Sequence, residues 1–316
     1  DGPHYLMHIL ITGGAGFLGQ RLARYLTKDP NLQSLTLTDI VLPPIPADSR
    51  INRYQADLTQ PQAAKDLITA EMTTVYHLAA VVSAQAEANF DLGMSVNCDG
   101  TRYLLEAVRH QAPGAMFILA SSLAVFGGDL PAVITDETAV RPQSSYGTQK
   151  AISELWVNDY SRKGFIDGRV LRLPTVCVRP GKPNAAASSF ASSIIREPLQ
   201  GKSALCPVDL SLPLWLTSPG TVTANLARSA TLPAESFDYA VNLPGITVTV
   251  QAMIDALGRV SDPQTLEKIQ YQPDDNISQI VAGWPSQFDT SRAERLGFER
   301  DRSFDDIIRA FMAEAL

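Results

Sequence analysis

A tyrosine and a lysine four residues apart have a spacing that could support proton transfer. Tyr146 and Lys150 stand at the start of a run with helical spacing, so both side chains project from one face of a helix. A tyrosine has a reference pKa near 10. To act as a base near pH 7 it needs a pKa lower by about 3, which corresponds to roughly 4 kcal/mol. A neighbouring ammonium favours the phenolate and supplies part of that shift. The pair therefore predicts acid/base chemistry, although the same spacing also occurs on solvated helix faces.

A pair of serines offers another polar group for the same site. Ser121 and Ser122 close a strand-like apolar run, and ligands bind at the carboxyl ends of the strands in an open parallel sheet. A hydroxyl there could hold a substrate oxygen, although serines at strand ends are also ordinary turn residues. The order of strand, serine, tyrosine and lysine along the chain favours the catalytic interpretation.

A glycine-rich turn between the first strand and the first helix indicates a dinucleotide site. Gly13, Gly16 and Gly19 permit a tight turn, a close approach of the backbone to a pyrophosphate, and close packing of helix against strand. Phe17 and Leu18 then open the helix, where unpaired N–H groups face the phosphates. The context of strand, turn and helix makes this motif more specific than its glycines alone.

Residues at the ends of the next strands predict how the cofactor is held. Asp39 ends the second strand, where a carboxylate accepts ribose hydroxyls and repels a 2′-phosphate, so NAD is favoured over NADP. The alternative is an ordinary turn aspartate. Asp57 and Leu58 follow the third strand, where the adenine would lie, and Ala79 leaves room for the pyrophosphate and the nicotinamide ribose. His77 is interpreted as a packed core residue and receives no chemical role.

Strands alternate with helices through the first half of the chain. Strands are predicted at residues 8–12, 34–38, 53–56, 74–79, 116–120 and 169–173, and helices at 17–26, 62–70, 101–109 and from 146 onward. This alternation implies right-handed crossovers and a parallel sheet that is covered on both faces. The predicted fold class is therefore α/β, a doubly wound parallel sheet (Rossmann) with a smaller C-terminal substrate-binding lobe.

The alternation weakens after Pro174, where prolines and serines become frequent. Further helices are predicted at residues 222–230, 250–260 and 305–314, and a strand at 239–243. We expect an NAD-binding domain of residues 7–178 plus about 215–243, and a substrate-binding lobe of residues 179–214 plus 244–316. Residues 1–6 show no pattern and are expected to be a remnant outside the fold.

Composition narrows the possible partners. The chain of 316 residues is 45% hydrophobic and carries a net charge of -7, which argues against nucleic acid, since a protein that follows phosphates shows a basic face. Its three cysteines are scattered without the spacing of a zinc site, so reduced thiols and no metal are expected. Because no apolar run approaches the about 18 residues of a membrane span, we expect a cytoplasmic protein without a membrane partner.

The glycine motif, Asn97, Ser122, Tyr146 and Lys150 together resemble the extended short-chain dehydrogenase/reductase family over essentially the whole chain. The resemblance implies that Tyr146 exchanges the proton of the substrate hydroxyl and that Ser122 orients its oxygen. Lys150 would bind the nicotinamide ribose and lower the pKa of the tyrosine. Asn97, also at the cofactor, would hold a water that continues the proton relay. The hydride would pass directly between the substrate and the nicotinamide.

Three positions depart from the pattern of sugar-nucleotide epimerases in this family. Phe126 replaces a tyrosine, and Gln149 replaces a serine or threonine. Apolar residues at 213–216 stand where many epimerases carry an arginine for the nucleotide diphosphate. A sugar-nucleotide substrate is therefore disfavoured.

The segments 80–97, 143–145 and 171–190 resemble a branch of the family that oxidises a four-carbon sugar acid at its 2-hydroxyl. Such a substrate needs a cation and several hydroxyl-type partners. Besides Ser122 and Tyr146, the candidate substrate residues are Ser83, Thr175, Arg179 and Asn184. Arg179 is the favoured carboxylate anchor, and a structural salt bridge is its alternative role. Pro174 and Val176 would face the nicotinamide carboxamide through backbone groups.

Two other functions remain open from the sequence. A sugar-nucleotide 4-epimerase uses the same tyrosine but returns the hydride to its substrate, and a non-catalytic NAD sensor would keep the sheet without chemistry. The resemblance also implies a homodimer through the helices near 93–111 and 146–162.

Overall fold

The apolar runs of the sequence form the strands of one large and two small sheets in this computed structural model, which describes residues 5–44, 47–184 and 186–316. Residues 1–4, part of the segment expected to be a remnant, lie outside this description. The strands are β1 (Met7–Thr12), β2 (Leu32–Asp39), β3 (Ile51–Gln55), β4 (Thr74–His77), β5 (Met116–Ser122), β6 (Asp167–Leu173), β7 (Thr175–Val176), β8 (Ala204–Cys206), β9 (Pro213–Thr217), β10 (Val241–Asn242), β11 (Ile246–Thr249) and β12 (Ile269–Tyr271).

The helices of the described residues are α1 (Phe17–Leu26), α2 (Pro61–Leu67), α3 (Ser83–Ala88), α4 (Phe90–Gly93), α5 (Gly100–Gln111), α6 (Ser145–Arg162), α7 (Ser189–Leu199), α8 (Pro219–Ser229), α9 (Val250–Val260), α10 (Asp275–Ala282), α11 (Ser291–Arg295) and α12 (Phe304–Ala315). A π-helical segment at Met94–Asp99 joins α4 to α5, and short 3₁₀ turns occupy Leu123–Val125, Ala234–Phe237 and Pro263–Lys268.

The large sheet has the order β3-β2-β1-β4-β5-β6-β10, and every neighbouring pair is parallel. Its strand order reverses between β1 and β4, which is where open α/β sheets bind ligands. The predicted doubly wound α/β fold is therefore confirmed. All of the strand ends that carry candidate site residues open on this carboxyl edge.

Alternating side chains of each strand build one core on each face of the large sheet. Ile9 and Ile11 pack on the face covered by α1 and α8, whereas Leu10 packs on the opposite face, with α2 and α5. This alternation follows from the period of two along a strand. The continuous apolar run of β1 is thus explained by burial on both faces.

Some predicted boundaries were wrong by a few residues. The expected strand at 239–243 shortens to two residues, because β10 pairs only with Leu171 and Arg172 of β6 at the edge of the sheet. The expected helix at 62–70 ends at Leu67, where Ile68 takes an extended conformation. The helices at residues 17–26 and 250–260 have the predicted bounds.

The C-terminal part of the chain adds a separate core and two small sheets. One sheet has the order β11-β9-β7 and the other pairs β12 with β8. Strand β7 begins just after β6, so the chain passes from the large sheet into the small one at Pro174. The proposed domain division remains a prediction. Strand β11 belongs to the predicted lobe, but it pairs with β9, most of which was assigned to the NAD-binding domain. Among the described residues, no helix is both long and apolar enough to cross a membrane.

Candidate active site

The glycine turn between β1 and α1 is shaped so that side chains would not fit. Gly13 has a φ of 72°, and a Cβ on it would approach the backbone nitrogen of Ala79 to 2.9 Å. A Cβ on Gly19 would overlap the carbonyl oxygen of Gly13, so the third glycine lets α1 lie against the turn. Ala79, the expected pyrophosphate neighbour, thus lies directly beside the turn.

The N-terminus of α1 fits a diphosphate group. Gly16 precedes the helix, no side chain from the described residues caps it, and its first turn carries no acidic residue. The N–H groups around Phe17 and Leu18 are therefore left for an anionic ligand. The turn suits the pyrophosphate of a dinucleotide.

Acidic residues stand at the end of β2 and just after β3. Asp39 accepts hydrogen bonds from the backbone of Ala15 at 3.0 Å and of Ile40 at 2.7 Å, which fixes its carboxylate beside the glycines. Asp57 accepts hydrogen bonds from the backbone and the hydroxyl of Thr59 and is half-buried, as is Leu58. The local turn at Asp57 is a structural role that the sequence alone did not distinguish from adenine binding.

Close packing brings Tyr146 and Ser122 together. Ser144 caps α6 by accepting a hydrogen bond from Gly147 N at 3.1 Å. A Cβ on Gly147 would overlap the carbonyl oxygen of Ala124, so this glycine lets the start of α6 approach the turn that follows β5. The Ser122 hydroxyl is close enough to Tyr146 to lower the pKa of the phenol. The predicted pair therefore meets at the carboxyl end of β5.

Lys150 lies one turn along α6 from Tyr146. Its side chain is buried, its Nζ donates to the Ala120 carbonyl at 3.0 Å, and it lies 5.7 Å from the centre of the Tyr146 ring. Burial lowers the pKa of Lys150 to about 8, against the opposing effect of the Glu154 carboxylate. The ammonium is thus close to its own titration range at neutral to mildly alkaline pH.

The pKa of Tyr146 is raised rather than lowered. Burial is the largest cause and outweighs two groups that favour the phenolate, the Arg179 guanidinium and the hydrogen bond from Ser122. The sequence-based expectation assigned the lowering to Lys150. In the structure, Arg179 is the cation that acts on the phenol in this direction.

Arg179 acts on residues of both the glycine motif and the candidate catalytic pair. Its guanidinium lies 5.9 Å from the centre of the Phe17 ring, and it interacts electrostatically with Tyr146. The groups that act on its charge in the described part of the chain are Tyr146 and Cys177, and no carboxylate is among them. Arg179 therefore has no salt-bridge partner among the described residues, which disfavours its alternative structural role.

Two residues of α7 hold the backbone of Arg179, and the sequence analysis did not identify either. Ser192 accepts a hydrogen bond from Arg179 N at 2.9 Å, and Arg196 donates to the Arg179 carbonyl at 2.6 Å. Arg196 is almost fully buried and pairs with Glu197 at 2.8 Å. The serine-rich, proline-containing sequence of α7 hides its helical period, so only the fold shows this contact.

Asn97 is buried in the π-helical segment, and its polar groups are engaged by neighbouring residues. Its amide exchanges hydrogen bonds with the backbone of Val81 and donates to Gln149 Oε1 at 2.8 Å. Its carbonyl accepts hydrogen bonds from Thr101 and Ser153. The unusual Gln149 thus orients Asn97, whereas the relay water expected there stays a prediction.

The remaining substrate candidates lie in three different segments of the structure. Ser83 is buried and its hydroxyl accepts a hydrogen bond from Ala187 N at 3.0 Å, which links α3 to the segment after Arg179. Thr175 is half-buried in β7. Asn184 bonds to Ala186 and lines a cavity of about 430 Å³ whose wall includes neither Tyr146 nor Arg179. The structure therefore does not bring Asn184 to the tyrosine.

Pro174 and Val176 flank the passage from the large sheet to the small one. Both side chains are buried, and β7 pairs with β9 at Thr175 and Val176. They hold the chain that leads into Arg179. A cluster of His, Cys, Asp and Glu that could hold a metal ion does not occur among the described residues.

His77 has the packed core role expected of it. Both ring nitrogens are hydrogen-bonded, to Thr12 at 2.7 Å and Thr101 at 2.8 Å, and burial lowers its pKa to about 3. Thr12 Oγ1 accepts from Leu78 N and Ala79 N, so its proton goes to Nδ1 of the histidine. The neutral ring then donates through Nε2 to Thr101, which ties β1 and β4 to α5.

The fold and the site together define a dinucleotide-dependent enzyme. Residues 9–218 match the NAD dependent epimerase/dehydratase family, and the chain belongs to that family. It is an NAD-dependent dehydrogenase, which confirms the predicted cofactor and the family resemblance.

Named relatives of similar length refine this result. Proteins named D-erythronate dehydrogenase from Haemophilus influenzae and Cupriavidus necator are each 50% identical to this chain, over 311 and 320 residues. The matches cover 97% and 98% of this chain and 99% of each relative. A structure named nucleoside-diphosphate-sugar epimerase from Agrobacterium tumefaciens has a TM-score of 0.92 and 41% identity, with coverage of 98% of this chain and 94% of that one.

Proposed function

We propose that the enzyme oxidises D-erythronate at its 2-hydroxyl to 2-oxotetronate with NAD. The observation that carries this proposal is the electrostatic influence of the Arg179 guanidinium on Tyr146, without a carboxylate acting on Arg179 among the described residues. The two relatives named D-erythronate dehydrogenase support the same choice.

The arrangement suits a 2-hydroxy acid for a simple geometric reason. In such an acid the carboxylate and the reacting hydroxyl are on adjacent carbons, so their binding groups must also be neighbours. A guanidinium binds a carboxylate through two parallel hydrogen bonds and fixes its orientation. A cation next to the phenol therefore selects this substrate class over a neutral alcohol.

The residues have distinct roles in the proposed reaction. Tyr146 takes the proton of the 2-hydroxyl, Ser122 orients the oxygen, and Arg179 anchors the carboxylate. Lys150 holds a positive charge near the phenol and binds the nicotinamide ribose. Bound NAD would supply the hydride acceptor for C2, so that the products would be the 2-oxo acid, NADH and one proton. Arg179 also favours the phenolate electrostatically, which links substrate binding to proton transfer.

The cofactor and substrate contacts inferred from the sequence remain proposals. We propose that Asp39 binds the adenosine ribose, that Asp57 and Leu58 border the adenine, and that Pro174 and Val176 face the carboxamide. We also propose a homodimer through the helices near 93–111 and 146–162, and a cytoplasmic location.

A sugar-nucleotide epimerase is the second candidate, favoured by the name of the similar Agrobacterium structure. Against it, β9 is apolar where many epimerases carry an arginine. Trp215 of β9 is 5% exposed and stacks on Phe288 at 4.7 Å between ring centres.

Substrate trials separate the two candidates. NADH absorbance is followed while D-erythronate, threonate, a uronate and a UDP-sugar are each offered with NAD. We expect the highest kcat/KM with D-erythronate and no net NADH with the UDP-sugar. Absence of NADH with every sugar acid would remove the proposal, and epimerisation of the UDP-sugar would favour the second candidate.

A further inference from the structure

A buried ion pair lies directly behind the candidate catalytic residues. Glu154 of α6 pairs with Arg172 of β6 at 2.7 Å, and their side chains are only 4% and 8% exposed. Arg172 also reaches Asn242 of β10 at 3.4 Å, and its guanidinium lies 4.9 Å from the centre of the Phe126 ring. Burial of two charges is costly and tolerable only when their remaining hydrogen-bond groups are satisfied.

The carboxylate of Glu154 reaches the strand that presents Ser122. The hydroxyl of Ser121, the preceding residue in β5, donates to Glu154 Oε2. Glu154 is also one helical turn beyond Lys150, whose ammonium is bonded to the Ala120 carbonyl of the same strand. The carboxylate is therefore bonded to the strand that presents Ser122, and it belongs to the helix that carries Lys150.

We propose that Glu154 is a positioning residue for the proposed reaction, which fixes the end of β5 through Ser121 and keeps the ammonium of Lys150 charged. This inference rests on the proposed function of Tyr146 and Lys150. It assigns Glu154 no contact with substrate or cofactor.

The surroundings of Lys150 leave this electrostatic role to Glu154. On β4, His77 is neutral because burial lowers its pKa to about 3, and in the π-helical segment burial raises the pKa of Cys98 to about 11. On α6 itself, burial raises the pKa of Tyr146, and Glu154 is the carboxylate that raises the pKa of Lys150. Arg172 of β6 binds both oxygens of this carboxylate, through Nε and Nη2.

The test is the pH profile of kcat/KM for the sugar acid. Glu154→Gln keeps the shape of the side chain but removes its charge, so the alkaline limb, assigned to loss of the Lys150 proton, should move down by about one pH unit. Arg172→Lys disturbs the pair of Glu154 and Arg172 but leaves the carboxylate and a cation. The alkaline limb of this variant should therefore stay in place. The side-chain ¹⁵N shift of Lys150 against pH, recorded without substrate, should follow the same pattern.

The single Gln variant leaves Arg172 buried without its partner and could unfold. Glu154→Gln combined with Arg172→Met removes both charges and should still show the lowered limb. An unmoved limb in the folded Gln variants, or an equal shift in Arg172→Lys, would overturn the inference. If Tyr146→Phe retains full turnover, the proposed function itself fails; if Tyr146→Phe is inactive and the limb is unmoved, only the role of Glu154 fails.

Discussion

Replacement of Arg179 tests the substrate assignment most directly. Arg179→Met removes the guanidinium but keeps much of the apolar length that lies near Phe17. A guanidinium forms two charge-assisted hydrogen bonds with a carboxylate, and loss of one partner in a partly buried site costs about 3 kcal/mol, or roughly 150-fold in kcat/KM. Arg179→Lys retains the charge without the two-pronged geometry and should lose about tenfold.

The assay compares D-erythronate with its uncharged amide by NADH formation over a range of pH. The loss in Arg179→Met should be confined to the acid, because only the acid offers a carboxylate. Since Arg179 lowers the pKa of Tyr146, its removal should also move the acidic limb of the profile upward. Lys202→Met, which removes an exposed cation of the same lobe, is the matched control.

Arg179 is not the carboxylate anchor if Arg179→Met lowers kcat/KM for the acid by less than about threefold, or lowers it equally for the amide. The first result would place the carboxylate elsewhere. The second would mean that Arg179 supports the structure of the site rather than the substrate.

Three further outcomes are expected. Tyr146→Phe should lower kcat by about 1,000-fold or more, with NAD affinity measured by calorimetry nearly unchanged, and retained turnover would exclude the acid/base role. Asp39→Ala should lower the ratio of kcat/KM for NAD over NADP by about tenfold, and a constant ratio would show that its backbone contacts are its whole role. Because the pKa of folded His77 is lowered to about 3, stability present above its unfolded pKa should be lost as pH falls below about 6.5, by roughly 1.4 kcal/mol per pH unit. Urea unfolding should show this slope and its loss in His77→Gln.

The sequence predicted the elements whose pattern is local. The helix at Phe17–Leu26 and the helix at Val250–Val260 have strong apolar periodicity and clear starts, Gly16 in one case and the capping Thr249 in the other. The glycine turn joins β1 to α1, Ser122 ends β5, and Tyr146 and Lys150 lie in the first turns of α6, so each could be assigned from a local pattern. Their order along the chain favoured the catalytic interpretation.

The elements that were missed depend on distant partners. Strand β8 is only three residues long and exists through its pairing of Ala204 with Ile269. Helix α7 is rich in serine and contains Pro198. Gln149 contacts Asn97, and Arg179 acts on Tyr146, although the partners in each pair are far apart in the chain. No local sequence pattern predicts such pairs.

The passage through Pro174 connects one core of the large sheet and the core of the C-terminal part through one continuous stretch of backbone. Strand β6 ends at Leu173 in the large sheet, and the same chain enters the small sheet at Thr175. The Ser83 hydroxyl of α3 accepts a hydrogen bond from Ala187 N, which is a second link between these parts of the chain. Unfolding of either core therefore removes packing from the other. We expect the chain to unfold in one cooperative calorimetric transition rather than in two.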